Sequence, residues 1–311
     1  MQLEKATEGG TTAIIVHIGP GDDPAEARAQ AEDLLPVYGA VLLRGLGISD
    51  PDSFHEAVRG FGSPTIDSYR GGNTPRSTVS EGVFTSTEYP ARYEITLHNE
   101  LSYAHQWPSR LFFCCLVAAE TGGATPVCDG RALLADLDPA VRERFESRQV
   151  AYHQHLHGGH GLGKSWQQTF ETRSRARAEE YLTAAGARFA WTTEGGLRVT
   201  QVRAAVRQHP ATGEPVWFNQ ATQWHPSNLP YDEADLLLSV VDSELDLPHS
   251  ASYGDGGAIG ADDLAQVRRA ERRNKLSVPW RPGDLMMIDN MLVLHGREPF
   301  TGSRKVIVSM T

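Results

Sequence analysis

A chain of 311 residues, 40% hydrophobic and 22% charged, has ordinary globular composition and is long enough to bury a large core. Its formal net charge of -10 is spread along the sequence rather than gathered in a tail, which argues against nucleic acid or an anionic membrane as a partner. Cys114, Cys115 and Cys128 fit no disulfide or zinc-ribbon spacing, no secretory signal is visible, and the longest apolar stretch, LFFCCLVAA, is too short to span a bilayer, so a cytoplasmic protein is expected.

In chain order, DDPAEARAQAEDLLPVY (22–38) predicts a helix, AVLLRG (40–45) a buried strand, and the Asp-Pro pair before 50–61 a second helix. Residues 62–92 are rich in Gly, Ser, Thr and Pro without periodicity, more than an idle loop needs, and are expected to form an active-site lid. Strand-like runs follow at 94–103, 111–118, 126–128, 148–153, 197–206, 215–219, 285–288 and 305–310, interrupted by helical patterns at 132–146, 175–185, 231–245 and 262–275. No internal repeat or long linker appears. The expectation is one domain, 1–311, mainly β with helical insertions (α+β) around an antiparallel core.

In LHNEL, His98 and Glu100 lie two residues apart, so on a strand both would point to one face and reach one ion. Among 12 histidines and 39 acidic residues, roughly one or two such pairs arise by chance, so the pair is weak alone. Support comes from the far end, where DLMMIDNMLVLHGREPFTGSRKVIVSM places His295 after one apolar strand and Arg304 at the start of another. Antiparallel strands of a jelly roll can bring both segments to one mouth. Two histidines and one carboxylate on one face of iron leave three positions for a bidentate oxo-acid and dioxygen. A rival set, His153, His155 and His157 in HQHLH with His160 nearby, would span about 13 Å on a strand at about 3.3 Å per residue. One ion with bonds of about 2 Å cannot take all three.

HNELSYAHQWPSRLFFCC, ETGGATPVCDGR, HPATGEPVWFNQA and GDLMMIDNMLVLHGREPFTGSRKVIVSM together resemble the taurine dioxygenase (TauD/TfdA)-like family of Fe(II)/2-oxoglutarate oxygenases, from about Gly39 to the carboxyl terminus. The likeness looks closest to the branch of syringomycin-type amino-acid hydroxylases. It implies a double-stranded β-helix (jelly roll) core of the clavaminate synthase-like type, iron held by His98, Glu100 and His295, and Thr125 hydrogen-bonded to 2-oxoglutarate. It also implies that Arg304 grips the distal carboxylate, with Arg297 the competing candidate. Arginine suits that task because its planar fork pairs a carboxylate bidentately. Related halogenating enzymes carry a small residue where this chain has Glu100, so the resemblance points away from halogenation.

The implied reaction turns 2-oxoglutarate and O2 into succinate and carbon dioxide while hydroxylating an amino acid or amino-acid-derived substrate of secondary metabolism such as antibiotic biosynthesis. Desaturation and cyclisation share that chemistry and stay open, as do a free or carrier-tethered substrate and a homo-oligomer. Arg203, turned inward from a strand, and Asn219, Gln220 and His225 are the candidate substrate contacts; Arg198, Arg207, Glu81 and Arg92 are weaker ones. Two other classes remain: a cupin-like metal hydrolase, which would have no use for Arg304, and a non-catalytic small-molecule-binding jelly roll.

Overall fold

The runs LFFCC and LMMI are apolar at successive positions, a pattern that suits strands buried on both faces. In the computed structural model they belong to the adjacent strands Arg110–Val117 and Leu285–Asp289. The structure describes every residue except 63, 67–70, 73–77, 87–88, 230, 240 and 242, and only the backbone of 231–232. Among the described residues, an eight-stranded sheet runs in the order Gln2–Glu8, Thr11–His17, Ala40–Arg44, Leu285–Asp289, Arg110–Val117, Lys305–Met310, Val83–Thr85, Thr78–Ser80. Its pairs are antiparallel except Thr11–His17 with Ala40–Arg44, which run parallel with helix Pro24–Tyr38 as the crossover between them.

Side chains alternate across the central strand. Leu111, Phe113 and Cys115 enter one core, while Phe112 and Cys114 enter another that helices Pro24–Tyr38 and Pro51–Arg59 close through Ala27, Ala31, Leu35, Phe54 and Val58. Both helices begin at an Asp-Pro pair: Asp23 and Asp50 accept the backbone N–H of Ala25 and Ser53, and proline fills the first turn, where its missing N–H costs nothing. All three cysteines are buried free thiols, and burial pushes Cys115 up to about 11, so it stays protonated and inert.

The first core lies between the large sheet and two smaller ones. One runs Arg188–Trp191, Leu197–Arg203, Val150–Leu156, His249–Tyr253, and the other Ile95–His98, Val293–Arg297, Val127–Asp129. Phe113, Met286 and Val308 meet Leu97, Val293, Tyr152, Trp217 and Trp224 there. The architecture is mixed α/β, with large, mostly antiparallel sheets. Among the described residues no helix is long and apolar enough to cross a membrane.

Several predicted elements differ in extent. The helix expected over 132–146 is two, Gly130–Asp136 and Pro139–Arg148, because Pro139 biases Asp138 away from helical geometry and Asp138 caps the second. The strand expected over 94–103 ends at His98, and that over 197–206 breaks after Arg203. The helix over 231–245 is Tyr231–Ser239 followed by a 3-10 turn, Glu244–Asp246. The amino-terminal hairpin Gln2–Glu8 with Thr11–His17 was not expected. Of the segment 62–92, residues Thr78–Ser80 and Val83–Thr85 form the edge of the large sheet, and much of the remainder lies outside the described residues.

Glu271, in helix Ala261–Arg273, is buried with its carboxyl accepting the Thr222 hydroxyl at 3.0 Å. Burial pushes this carboxyl from its ordinary 4.5 up to about 7. Between those values the folded chain keeps a proton that the unfolded chain has lost, so stability falls as pH rises through the window and levels off above it. Glu271→Gln should remove that loss. Its melting temperature should drop less than the wild type's between pH 5 and pH 8, by on the order of 5 °C in thermal melts. Equal drops in both proteins would refute a protonated Glu271.

Candidate active site

His98 is the last residue of Ile95–His98, and Glu100 lies beyond it on a turn. The same-face argument from strand geometry therefore gives way to a different device, a sharp turn in which Leu101 adopts φ 55°. His295 comes from the neighbouring strand Val293–Arg297 and is the cross-strand partner of His98. The two rings are 4.3 Å apart between centroids, and His295 Nε2 is 3.9 Å from Glu100 Oε2. One donor atom from each of the three lies within 4.8 Å of the others, and all three residues are buried. Among the described residues no other set of three meets that condition.

The donor chemistry fits a divalent metal. His98 Nδ1 is 2.9 Å from the Thr96 carbonyl, which can only accept, so the proton sits on Nδ1 and Nε2 keeps its lone pair for an ion. Two imidazoles and one carboxylate on one side of an ion suit iron with open positions.

What holds Glu100 in place is a buried amide network. Asn290 Oδ1 accepts the Glu100 backbone N–H at 2.7 Å, and its Nδ2 donates to the Glu100 and Pro108 carbonyls, both at 2.9 Å. Asn99 Nδ2 donates back to the Asn290 carbonyl at 2.7 Å, and Gln220 Nε2 donates to the Asn99 carbonyl. Asn290 stands just before the His295 strand, so the network ties the turn carrying one ligand to the strand carrying another. Sequence reasoning missed it, although a lone asparagine inside IDNMLVL was a signal.

A cavity runs from the two histidines to Arg304, with Ser86, Phe113, Thr125 and Arg297 in its wall. Arg304 Nε donates to the Gly123 carbonyl at 2.8 Å, and Nη2 reaches Thr125 Oγ1 at 3.5 Å. Trp280 Nε1, also unanticipated, donates to the same hydroxyl at 3.2 Å. Burial, with Arg297 nearby, lowers Arg304 to about 10, still a cation at neutral pH. Among the described residues Arg304 has no carboxylate partner, and a partly buried cation of that kind suits an anionic ligand. Arg297, the competing candidate, donates to the carbonyls of Tyr89, Pro90 and Tyr93.

The four expected substrate contacts are engaged within the protein. Arg203 donates to the carbonyls of Ala104, Val202 and Ala185 and to Gln201 Oε1, rather than offering a free guanidinium. Asn219 bridges Ala205 and Ala221, and Gln220 joins Asn99, Tyr152 and Trp224. His225 Nδ1 accepts from the Ser227 backbone at the start of a 3-10 turn. Arg198 pairs with Asp246, while Arg207 stacks over Trp107 at 4.6 Å. The HQHLH histidines also diverge: His153 meets Thr200 and Ser252, His155 the Asp246 carbonyl and His157 the Gly159 N–H. His155, His157 and His160 line a second cavity.

Asn290→Ala would remove the two bonds that tether the Glu100 backbone, and a third to Pro108, while keeping His98, Glu100 and His295. Affinity for Mn(II), read by calorimetry, should fall roughly 10–100-fold. An unchanged affinity would show that the turn holds itself.

The sequence model described as "Taurine catabolism dioxygenase TauD, TfdA family" matches residues 17–311. The chain is 33% identical over 279 residues to the dapdiamide synthesis protein DdaC of Enterobacter agglomerans, covering 90% of this chain and 84% of that one. It is 30% identical over 291 residues to a clavaminate synthase-like protein of Arabidopsis thaliana, covering 90% and 83%. Among solved structures, PvcB of Pseudomonas aeruginosa shares the fold with a TM-score of 0.58 at 16% identity, over 99% of this chain and 90% of that one. AAD-2, solved with Mn(II) and N-oxalylglycine, does so with a TM-score of 0.55 at 13% identity, over 100% and 97%. The chain belongs to the TauD, TfdA family of dioxygenases, enzymes that use Fe(II) and 2-oxoglutarate.

Proposed function

We propose that this oxygenase hydroxylates an amino acid or amino-acid-derived compound, free or tethered to a carrier protein, in a cytoplasmic biosynthetic pathway. Iron is held by His98, Glu100 and His295, and 2-oxoglutarate lies with its distal carboxylate on Arg304 beside Thr125. The observation that carries this reading is one cavity joining His98 and His295 of the triad to Arg304, a partly buried arginine that has no acidic partner among the described residues. A hydrolase would need the metal but not the cation. The relative whose name refers to dapdiamide synthesis supports a biosynthetic role.

When bound, iron would couple O2, the oxidant, to both substrates, one oxygen atom going to the amino-acid substrate and the other to 2-oxoglutarate, which leaves as succinate and carbon dioxide. The chain's own residues bind and orient. His98 keeps its proton on Nδ1 through Thr96, Phe113 gives the cavity an apolar wall, and Arg304 holds the anion at the far end. Glu100 occupies the position a halide would need, which favours hydroxylation over halogenation. The opposed sheets support a jelly-roll core of the clavaminate synthase-like type in one domain, 1–311. The segment 62–92, leading straight into the first ligand strand, acts as a lid. With Arg203, Asn219, Gln220 and His225 occupied by the scaffold, the lid carries more of the substrate recognition.

Anaerobic addition of Fe(II) and 2-oxoglutarate should produce a weak visible charge-transfer band, and air should then yield succinate. Mass spectrometry of free and carrier-loaded amino acids should find a product with one added oxygen atom. No band and no succinate would remove the oxygenase site assignment. Arg304→Lys keeps the charge but loses the fork, so KM for 2-oxoglutarate should rise on the order of 10–100-fold with the melting temperature preserved. An unchanged KM would move the clamp elsewhere.

A further inference from the structure

Arg297 stands two residues after His295, lines the same cavity as Arg304 and is 5% exposed. Among the described residues it has no acidic partner. Its cation is instead received by a cup of backbone. Nη1 donates to the Tyr89 carbonyl at 2.7 Å, and Nη2 to those of Pro90 and Tyr93 at 2.7 and 2.9 Å, while the Nε–H is buried without a partner. The Phe300 ring lies 5.2 Å from the guanidinium carbon, and the Phe300 N–H donates to Ala91.

Residues 89–93 therefore form a strap wrapped round one side chain. The strap closes on itself through the Tyr93 N–H to the Pro90 carbonyl. Its outer side is tied by the Tyr93 hydroxyl, which donates to Glu233 Oε1 at 2.6 Å, and its chain runs directly into Ile95–His98. Gly296 makes the close approach possible, since a Cβ there would stand 2.5 Å from the Ile95 carbonyl oxygen.

We infer that Arg297 is a positioning residue that couples occupancy of the co-substrate cavity to closure of the 89–93 strap. This rests on the reading of the cavity as the 2-oxoglutarate site. Arg297 and Arg304 place two like charges in one cavity, and a dianion between them removes their repulsion. Arg297 is then held more firmly in place, and so are the three carbonyls it grips. By linkage, the factor by which bound 2-oxoglutarate favours the closed strap is the factor by which the closed strap favours 2-oxoglutarate binding, so loosening the strap weakens binding.

Hydrogen exchange read by mass spectrometry tests this in the whole chain. With Mn(II) present, adding 2-oxoglutarate should slow exchange of a peptide covering 89–94 by about tenfold, and leave one covering 110–117 unchanged. In Arg297→Gln that peptide should exchange fast with or without 2-oxoglutarate, whose Kd, by calorimetry, should rise about tenfold. Arg297→Lys, which cannot span three carbonyls, should also lose the slowing. If the glutamine variant does not fold, Tyr93→Phe leaves Arg297 intact and cuts only the tie to Glu233, and should raise Kd about threefold. Wild-type strap exchange indifferent to bound 2-oxoglutarate, slowing retained in Arg297→Gln, or an unchanged Kd in Tyr93→Phe overturns the coupling alone. No 2-oxoglutarate binding at all overturns it together with the site assignment beneath it.

Discussion

The antiparallel pairing of His98 with His295 is the constraint on which the site depends. Side chains alternate along a strand, so a slip of one residue between Ile95–His98 and Val293–Arg297 would send one imidazole away from the other. Ladder bonds over four or five residues resist such a slip only weakly, and the ladder is irregular between His295 and Arg297. The register is pinned outside it, where Asn290 and Asn99 bond across from turn to strand with both side chains fully buried. Buried amides whose N–H groups are paired in this way specify one arrangement, because any other leaves those donors unpaired at a cost of about 1–3 kcal/mol each.

The second organising feature is a pair of arginines in a cavity wall whose lining has no acidic side chain among the described residues. Arg304 and Arg297 are both desolvated, and neither is neutralised by an acidic side chain among the described residues. Backbone carbonyls bear the cost, one for Arg304 and three for Arg297. A carboxylate from the protein would offset the desolvation of either cation but would also compete with any anion entering the cavity.

How far the sequence was legible depended on whether a residue's neighbours were local. The Asp-Pro pairs placed two helices, and the apolar runs placed the central strands, because capping and double-sided burial are written in adjacent residues. The Gly9-Gly10 pair between two β-compatible runs was an equally local hairpin signal that was passed over. The triad residues could be named from their motifs, but the turn after His98 could not, since Leu101 takes its positive φ for tertiary reasons. Arg203 looked available from strand alternation, and only the folded chain reveals the Ala104 and Ala185 carbonyls that occupy it. Asn290 and Trp280 act through partners more than a hundred residues away, beyond any periodicity.

The central strand Arg110–Val117 has a consequence for the chain as it is made. Both of its neighbours, Leu285–Asp289 and Lys305–Met310, come far later in the sequence, as does His295. Throughout most of synthesis, then, an apolar strand waits with two bare edges and neither partner. A ribosome that stalled or a stop codon that fell before residue 285 would release not a weaker enzyme but a chain primed to pair with its own copies. The strands that cover its edges also bring His295 beside His98 and Glu100, so the same step that gathers these three residues ends that exposure.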